Sequence, residues 1–270
     1  MTAPEELLDL AVTAARDGGR VIRAATAVHA AGHKSSATDP VTEIDLASEA
    51  AVTACLAAAR PHDGLLGEEG TARAGTSGLR WVVDPVDGTT NLLYGSPHVT
   101  VSVAAEEQLP DGSWRAVVGV VHDPYRSETF TAARGRGARL NGTPVRVNDP
   151  VPLDRALVTT GFAYTPRARA RQARALAGLL HRVRDIRSHG SAALELCWLA
   201  AGRCDAYYED ELAPWDFAAG ALIAAEAGAT VTALGSGVLA AGPALHPALA
   251  ALHHLSAAAI ERDAHVSVPR

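Results

Sequence analysis

Cysteine, lysine and aromatic side chains are scarce in this chain of 270 residues. Its three cysteines, Cys55, Cys197 and Cys204, are odd in number, widely spaced and form no CxxC pair. A disulfide framework and a zinc knuckle are thereby excluded as the source of the fold, and a reducing, cytoplasmic setting is expected. Aromatic residues make up 4% of the chain, too few for a platform that stacks bases. No apolar run approaches the ~18 residues that a membrane helix needs. The opening MTAPEELLDLAVTAARDGGR carries acids early and reads as an amphipathic helix, unlike the basic start of a signal peptide. No membrane association is expected. Basic residues, 24, are outnumbered by 30 acidic ones, for a formal charge of -6. That balance argues against nucleic acid as the main partner. Lys34 is the only lysine; one retained in an arginine- and alanine-rich chain points to a local role.

Hydrophobic residues at 48% and charged residues at 20% are those of a globular protein, either one large domain or two closely packed halves. Helical periodicity runs from Pro4 to Ala31, followed by a polar break, HKSSATDP, and a second helical stretch that Pro61 ends. LLGEEG and RWVVDPVDGTTN begin as apolar strands and close on acids and turn residues. HVTVSVAAE, WRAVVGVVHDP and ETFTAARG read as strands of an antiparallel meander, with Asn141-Gly142 marking a hairpin turn. The composition shifts beyond residue 150. ALVTTGFAY and DAYYE read as strands, and three helical stretches follow or separate them, one of them rich in arginine. A strand, GVLAAG, and a final helix, HPALAALHHLSAAAIER, complete the pattern. Two successive groups of helices and strands imply a layered α/β (α+β) protein with two sub-domains, 1–148 and 149–270.

Acidic residues stand at the ends of these elements. Glu68 and Glu69 close one strand, and Asp84 and Asp87 close another. Asp216 follows Trp215 at a helix start, and Asp45 stands three residues after Thr42 on the early helix. Carboxylates brought together repel one another unless cations neutralise them, and oxygen ligands at strand ends suit Mg²⁺. Pro85 stiffens the bend between the paired aspartates, Gly88 permits a close backbone approach, and the amides of Gly88, Thr89 and Thr90 could face a phosphate. DPxDG alone is also the composition of an ordinary turn. Together with the other acids it describes phosphoryl transfer to water.

The stretches KSSATDPVTEID, LLGEEG, WVVDPVDGTTN, GSAALELCWLAAGRCDAYYE and PWDFAAGALIAAEAG, in this order and spacing, resemble the inositol monophosphatase family. That family lies within the lithium-sensitive, magnesium-dependent phosphatases, and its bacterial inositol-1-monophosphatases look nearest. The resemblance spans nearly the whole chain and implies an α-β-α-β-α sandwich like that of the fructose bisphosphatases. By that resemblance Glu68, Asp84 and the carbonyl of Val86 hold a first Mg²⁺. Asp84, Asp87 and Asp216 hold a second, with Glu68 touching a third. Thr89 and Glu68 position and deprotonate the attacking water, with Asp45 bonded to Thr89. Gly88, Thr89 and Thr90 cradle the phosphate. Asp87, Ala192, Glu209 and Asp216 meet the substrate, and Lys34 and Glu69 support the metal shell. A homodimer and a small phosphomonoester substrate, inositol 1-phosphate first, are likewise implied. Histidinol phosphate is the main rival; a bisphosphate or a nucleotide would demand extra cationic or aromatic contacts. Some bacterial relatives also bind the RNA polymerase and ribosomal RNA machinery. The chain departs from the pattern at Leu92-Leu93-Tyr94, at Gly70 and in a shortened stretch from Thr232 to Pro243.

Plainer roles are expected elsewhere. The arginines from Arg167 to Arg187 read as a solvated helix face, although they could also meet a second phosphate or an acidic partner. His246, His253, His254 and His265 read as surface histidines, and Cys197 and Cys204 as buried thiols. Trp215 reads as a packing anchor beside Asp216. Glu209 could accept bonds from two neighbouring hydroxyls of a polyol, or form a salt bridge at a rim.

Overall fold

The computed structural model describes residues 3–26, 28–33 and 39–252; Lys34, His253, His254 and His265 lie outside them. The chain opens with α1 (Pro4–Ala24), where Pro4 and the first-turn acids Glu5 and Glu6 suit the positive helix end. The helix does not run on to Ala31 as expected. Ala25 turns extended, and β1 (Ala30–His33) pairs antiparallel with β2 (Pro40–Thr42). Alanine is the strongest helix former, but intrinsic propensity is a weak constraint, and cross-strand pairing overrides it here. Thr42 then caps α2 (Glu43–Ala59). Its hydroxyl accepts from the amides of Ile44 and Asp45, while the Asp45 carboxylate accepts from the amide of Thr42 at 2.9 Å.

A first sheet follows from β3 (Gly64–Gly67), β4 (Ala72–Arg73) and β5 (Leu79–Asp87), the short helix α3 (Thr89–Leu93), then β6 (Thr100–Gln108), β7 (Trp114–Asp123), β8 (Glu128–Ala133), β9 (Ala138–Leu140) and β10 (Thr143–Pro144). Its spatial order is β10-β9-β8-β7-β6-β5-β3-β4, with β3 and β5 parallel and the other neighbours antiparallel. Asn141 and Gly142 turn the β9–β10 hairpin with φ of 47° and 81°, the left-handed pair that a tight hairpin demands. The central strands are buried on both faces. Trp81, Val83, Val101, Val103, Val118 and Val120 pack beneath α1 and α2. Their neighbours Val82, Ala104 and Val121 point to the opposite face, because strand side chains alternate.

The second half runs through β11 (Leu157–Thr160), α4 (Pro166–Leu180), β12 (Asp185–Arg187), α5 (Ala192–Ala200), β13 (Ala206–Glu209), α6 (Pro214–Glu226), β14 (Thr230–Leu234) and β15 (Gly237–Ala241). The strands form a second sheet in the order β12-β11-β13-β15-β14. Helices α5 and α6 fill the space between the sheets. Ala193, Leu194, Ala219 and Ile223 meet the first sheet, and Leu196, Leu199 and Ala224 meet Tyr207, Val238 and Ala240 of the second. The outer face of the second sheet, Tyr208, Leu239 and Ala241, packs on Leu179 of α4 and on Leu245 and Leu249. The layers therefore stack α-β-α-β-α, as the resemblance implied. Every strand of the first sheet precedes residue 145 and every strand of the second follows residue 156.

Cys197 and Cys204 are buried thiols, and Trp215 packs against the layer between the sheets. His246 is buried rather than on the surface, and its Nε2 lies 2.9 Å from the hydroxyl of Thr232. The shortened stretch folds back as the β14–β15 hairpin and brings Thr232 beneath it. No helix among the described residues is long and apolar enough to cross a membrane.

Candidate functional site

The site grows from the end of β5. Residues three apart on a plain strand point to opposite faces. Between Asp84 and Asp87, however, β5 spends three residues against two on β6, since Asp84 faces Ser102 and Asp87 faces Thr100. This bulge shifts the alternation by one, so that both aspartates turn the same way. Pro85, which could not donate to a ladder, occupies the bulge, and its carbonyl accepts from the hydroxyl of Ser48 on α2 at 2.8 Å. The amide of Val86 donates to Asp84 Oδ1 at 3.0 Å. Gly88 then turns the chain into α3 with φ 106°, and a Cβ there would meet the carbonyl of His98 at 2.6 Å.

Thr89 begins α3. Its hydroxyl donates to Asp45 Oδ1 at 2.7 Å and also lies 3.1 Å from the Val86 carbonyl. Asp45 is 0% exposed, and its other oxygen accepts from both the amide and the hydroxyl of Thr42. The capping box that starts α2 thus also aims Asp45 at Thr89. Asp87, buried, accepts from the Ser191 hydroxyl (2.7 Å) and the amides of Ala193 (2.7 Å) and Ala192 (3.3 Å). It caps the start of α5 from a distant strand. Asp216, in the first turn of α6, accepts from the amide of Ala213 at 2.7 Å. Glu209, at the end of β13, accepts from the hydroxyl of Tyr207 at 2.6 Å rather than forming a rim salt bridge.

A cavity of about 370 Å³ brings Asp87, Thr90, Ala192, Glu209 and Asp216 to one surface. Glu68, just past β3, and Asp216 both act on Asp84 through space. Glu69 holds its loop differently, by donating its amide to Glu49 at 2.8 Å. Four contributors were missed by sequence reasoning. Glu49 accepts from the amides of Glu69 and Thr71 and so shapes the loop that carries Glu68. Its place one helical turn after Asp45 was the available signal. Ser191 and the α5 amides seat Asp87. Asn91 Nδ2 reaches the carbonyls of His98, His189 and Gly190 and ties α3 to the loop before α5. Tyr164 lines the cleft beside Arg169; it lies in a loop with no pattern to mark it. Of the remaining arginines, Arg171 is held by Asp210 and Glu211, while Arg167 and Arg174 are solvated as expected.

The electrostatics are those of crowded acids. Burial, and then the charges of Glu68, Asp87 and Asp216, hold Asp84 well above the usual carboxylate range. Burial pushes Asp87 up to about 7 even though Ser191 and the α5 amides pull the other way. Burial also raises Glu209 to about 8, against the opposing bond from Tyr207. Tyr164 is pushed up to about 12 by burial and by Asp39, Asp87, Glu68 and Glu209. Among the described residues no three acidic, histidine or cysteine side chains are already closed into a metal shell. The carboxylates around Asp84 nonetheless share one field, and Glu68 meets Asp84 through a side-chain hydrogen bond as well as through its charge. An all-oxygen donor set whose repulsion a divalent cation would relieve fits Mg²⁺.

The model of the inositol monophosphatase family matches residues 3–264. An inositol-1-monophosphatase of Mycobacterium bovis is 43% identical over 229 residues, covering 82% of this chain and 74% of that protein. The Nus factor SuhB of Pasteurella multocida is 40% identical over 236 residues, covering 83% of this chain and 84% of its own. Among solved structures, the extragenic suppressor protein suhB of Bartonella henselae superposes with a TM-score of 0.84. It is 33% identical across 92% of this chain and 98% of that one.

Proposed function

This chain belongs to the inositol monophosphatase family, and we propose that it is a Mg²⁺-dependent phosphomonoesterase that hydrolyses inositol monophosphate. The observation that carries the reading is the bond from Thr89 to the buried Asp45, set beside the acid cluster of Glu68, Asp84, Asp87 and Asp216. Asp84, Asp87, Glu68, Asp216 and the Val86 carbonyl would hold the metal. When bound, Mg²⁺ neutralises phosphate charge, acidifies water and stabilises a departing alkoxide.

The protein's own groups supply the rest. Thr89 Oγ1 gives its proton to Asp45 and keeps a lone pair to accept from the attacking water, whose oxygen it thereby aims at phosphorus. As the P–O bond to water forms, the bond to the ester oxygen breaks. One water proton passes through Thr89 to Asp45, or to Glu68, and from there to solvent, the other hydrogen stays on the inorganic phosphate, and the departing ester oxygen takes a proton from solvent to leave as the alcohol. The amides at the start of α3 face the phosphate oxygens. Glu209 accepts bonds from neighbouring hydroxyls of the polyol, a preference that burial and Tyr207 make geometrically strict.

The test is phosphate release from myo-inositol 1-phosphate and from histidinol phosphate, with and without Mg²⁺, alongside Asp84→Asn. Release from the inositol ester that needs Mg²⁺, is suppressed by Li⁺ and is lost in Asp84→Asn is expected. Release from histidinol phosphate alone would keep the mechanism and move the substrate. Relatives named Nus factor SuhB support a second reading, a binding role in the transcription machinery. Folded, Mg²⁺-binding protein silent on both esters would mean another phosphomonoester or this binding role.

A further inference from the structure

The cleft that holds Asp87, Glu209 and Asp216 has another wall, built from residues 161–165 and the start of α4. Arg169 stands on that wall and is the only lysine or arginine among the described residues that line the cleft. The side chain is exposed, and one long hydrogen bond, from Nη1 to the carbonyl of Ala163 at 3.4 Å, is its described tie to the protein. Arg171, two residues on, differs. It is committed to Asp210 at 3.1 Å and to Glu211 at 2.5 Å, so the charge of Glu211 is answered as well. Thr165 caps α4, so the positive end of this fifteen-residue helix adds to the field on the same wall. Glu209, which also lines the cleft, accepts from the hydroxyl of Tyr207 at 2.6 Å. Of the acids on the other side of the cleft, Asp87 and Asp216 are assigned to metal, and Glu195 accepts from the amide of His189 at 2.5 Å. What the far wall offers a ligand is therefore a single positive charge with donors to spare.

Resting on the phosphatase reading above, we propose that Arg169 is a specificity-determining residue that selects phosphomonoesters whose alcohol portion carries a second anionic group. A guanidinium pairs with phosphate or carboxylate through two parallel bonds, and one on a cleft wall can do so without moving the backbone. The cavity of about 370 Å³ is continuous from Asp87 to Arg169, so one ligand can meet both. Bisphosphates were expected to demand an extra cationic contact, and the position of Arg169 meets that demand. An ester of a neutral polyol would leave the guanidinium to water and gain nothing from it.

The experiment compares kcat/KM for myo-inositol 1,4-bisphosphate and myo-inositol 1-phosphate in the Mg²⁺-loaded full chain, in Arg169→Ala, Arg169→Lys and Arg167→Ala. The ratio of bisphosphate to monophosphate should fall about 10- to 100-fold in Arg169→Ala, the worth of a charged hydrogen bond. Arg169→Lys should recover part of it, and Arg167→Ala, whose arginine lies outside the cleft lining, should leave both constants as they are. The wild-type ratio should also decline with added salt. A ratio within threefold of wild type in Arg169→Ala overturns the proposal. So does an equal loss on both esters, which would make Arg169 only a brace for Ala163. If the chain turns over neither ester, the inositol phosphate reading fails by itself. Calorimetric binding of the bisphosphate to wild type and Arg169→Ala then decides: a weakening of the same size sustains the proposal, and equal affinities refute it.

Discussion

Replacing Asp45 by Asn tests the proton path with the least disturbance of shape. Asp45 is fully buried and accepts from Thr42 N at 2.9 Å, from the Thr42 hydroxyl and from Thr89 Oγ1 at 2.7 Å. An amide keeps one oxygen, which stays with Thr42, and turns its NH₂ toward Thr89. The Thr89 hydroxyl can answer by accepting from that NH₂ and swinging its proton to the Val86 carbonyl, already 3.1 Å away. No buried group loses all its partners, so the stability cost should be about 1–2 kcal/mol. The chemistry should suffer far more, because the lone pair that would accept from water is now occupied and no carboxylate remains to take the proton. Loss of a positioned proton acceptor typically lowers kcat by about 10²- to 10⁴-fold. Steady-state phosphate release should show a fall of that size in Asp45→Asn, with Mg²⁺ affinity by calorimetry close to wild type. Thr89→Val should show a similar fall. The double variant should be little worse than either single one, since the two residues act as a unit. Folded Asp45→Asn that keeps kcat within about threefold, or losses that multiply in the double variant, would refute the reasoning.

Two further outcomes follow from the same geometry. Glu209 titrates near 8 in the folded protein against 4.5 as its ordinary value, so between those values the folded chain holds a proton that the unfolded chain has released. Stability in the absence of metal is therefore undiminished below about 4.5, falls as pH rises, and carries the full penalty above about 8. At about 1.4 kcal/mol per pH unit that penalty is bounded near 5 kcal/mol, and neighbouring acids that also titrate bring the expectation to about 2–3 kcal/mol. Glu209→Gln should accordingly stabilise the metal-free protein at pH 9 and not at pH 5 in urea unfolding; equal increments at both would sink the assignment. Gly88→Ala should cost about 2–4 kcal/mol and abolish phosphate release, because its Cβ meets the His98 carbonyl at a φ that alanine resists. A variant that melts within a degree or two of wild type would show that the turn can yield.

What could be read from the sequence was what is local. The run from Trp81 to Asn91 contains a buried strand, the proline and glycine that bend it and two of the acids, so strand, turn and chemistry are adjacent in the chain. The box from Thr42 to Asp45 is equally compact, and Asp45 was singled out there through the resemblance although the cap itself was not read. What escaped depends on distance in sequence. Nothing near Asp87 reveals that Ser191 and two amides more than a hundred residues away will seat it. The bulge that turns Asp84 and Asp87 the same way exists only in the pairing of β5 with β6. Without that pairing, a spacing of three on a strand would have argued against a shared site. The alanines of β1 and the buried His246 were misjudged for the same reason, since β2 and Thr232 decide them. Yet the acids stood out despite this, and energetics explains why. A buried carboxylate costs stability unless it is paired, and this chain concentrates several where no fold requires them. A sequence that retains such a cost in one place, at the ends of apolar strands, marks the place where charge is put to use.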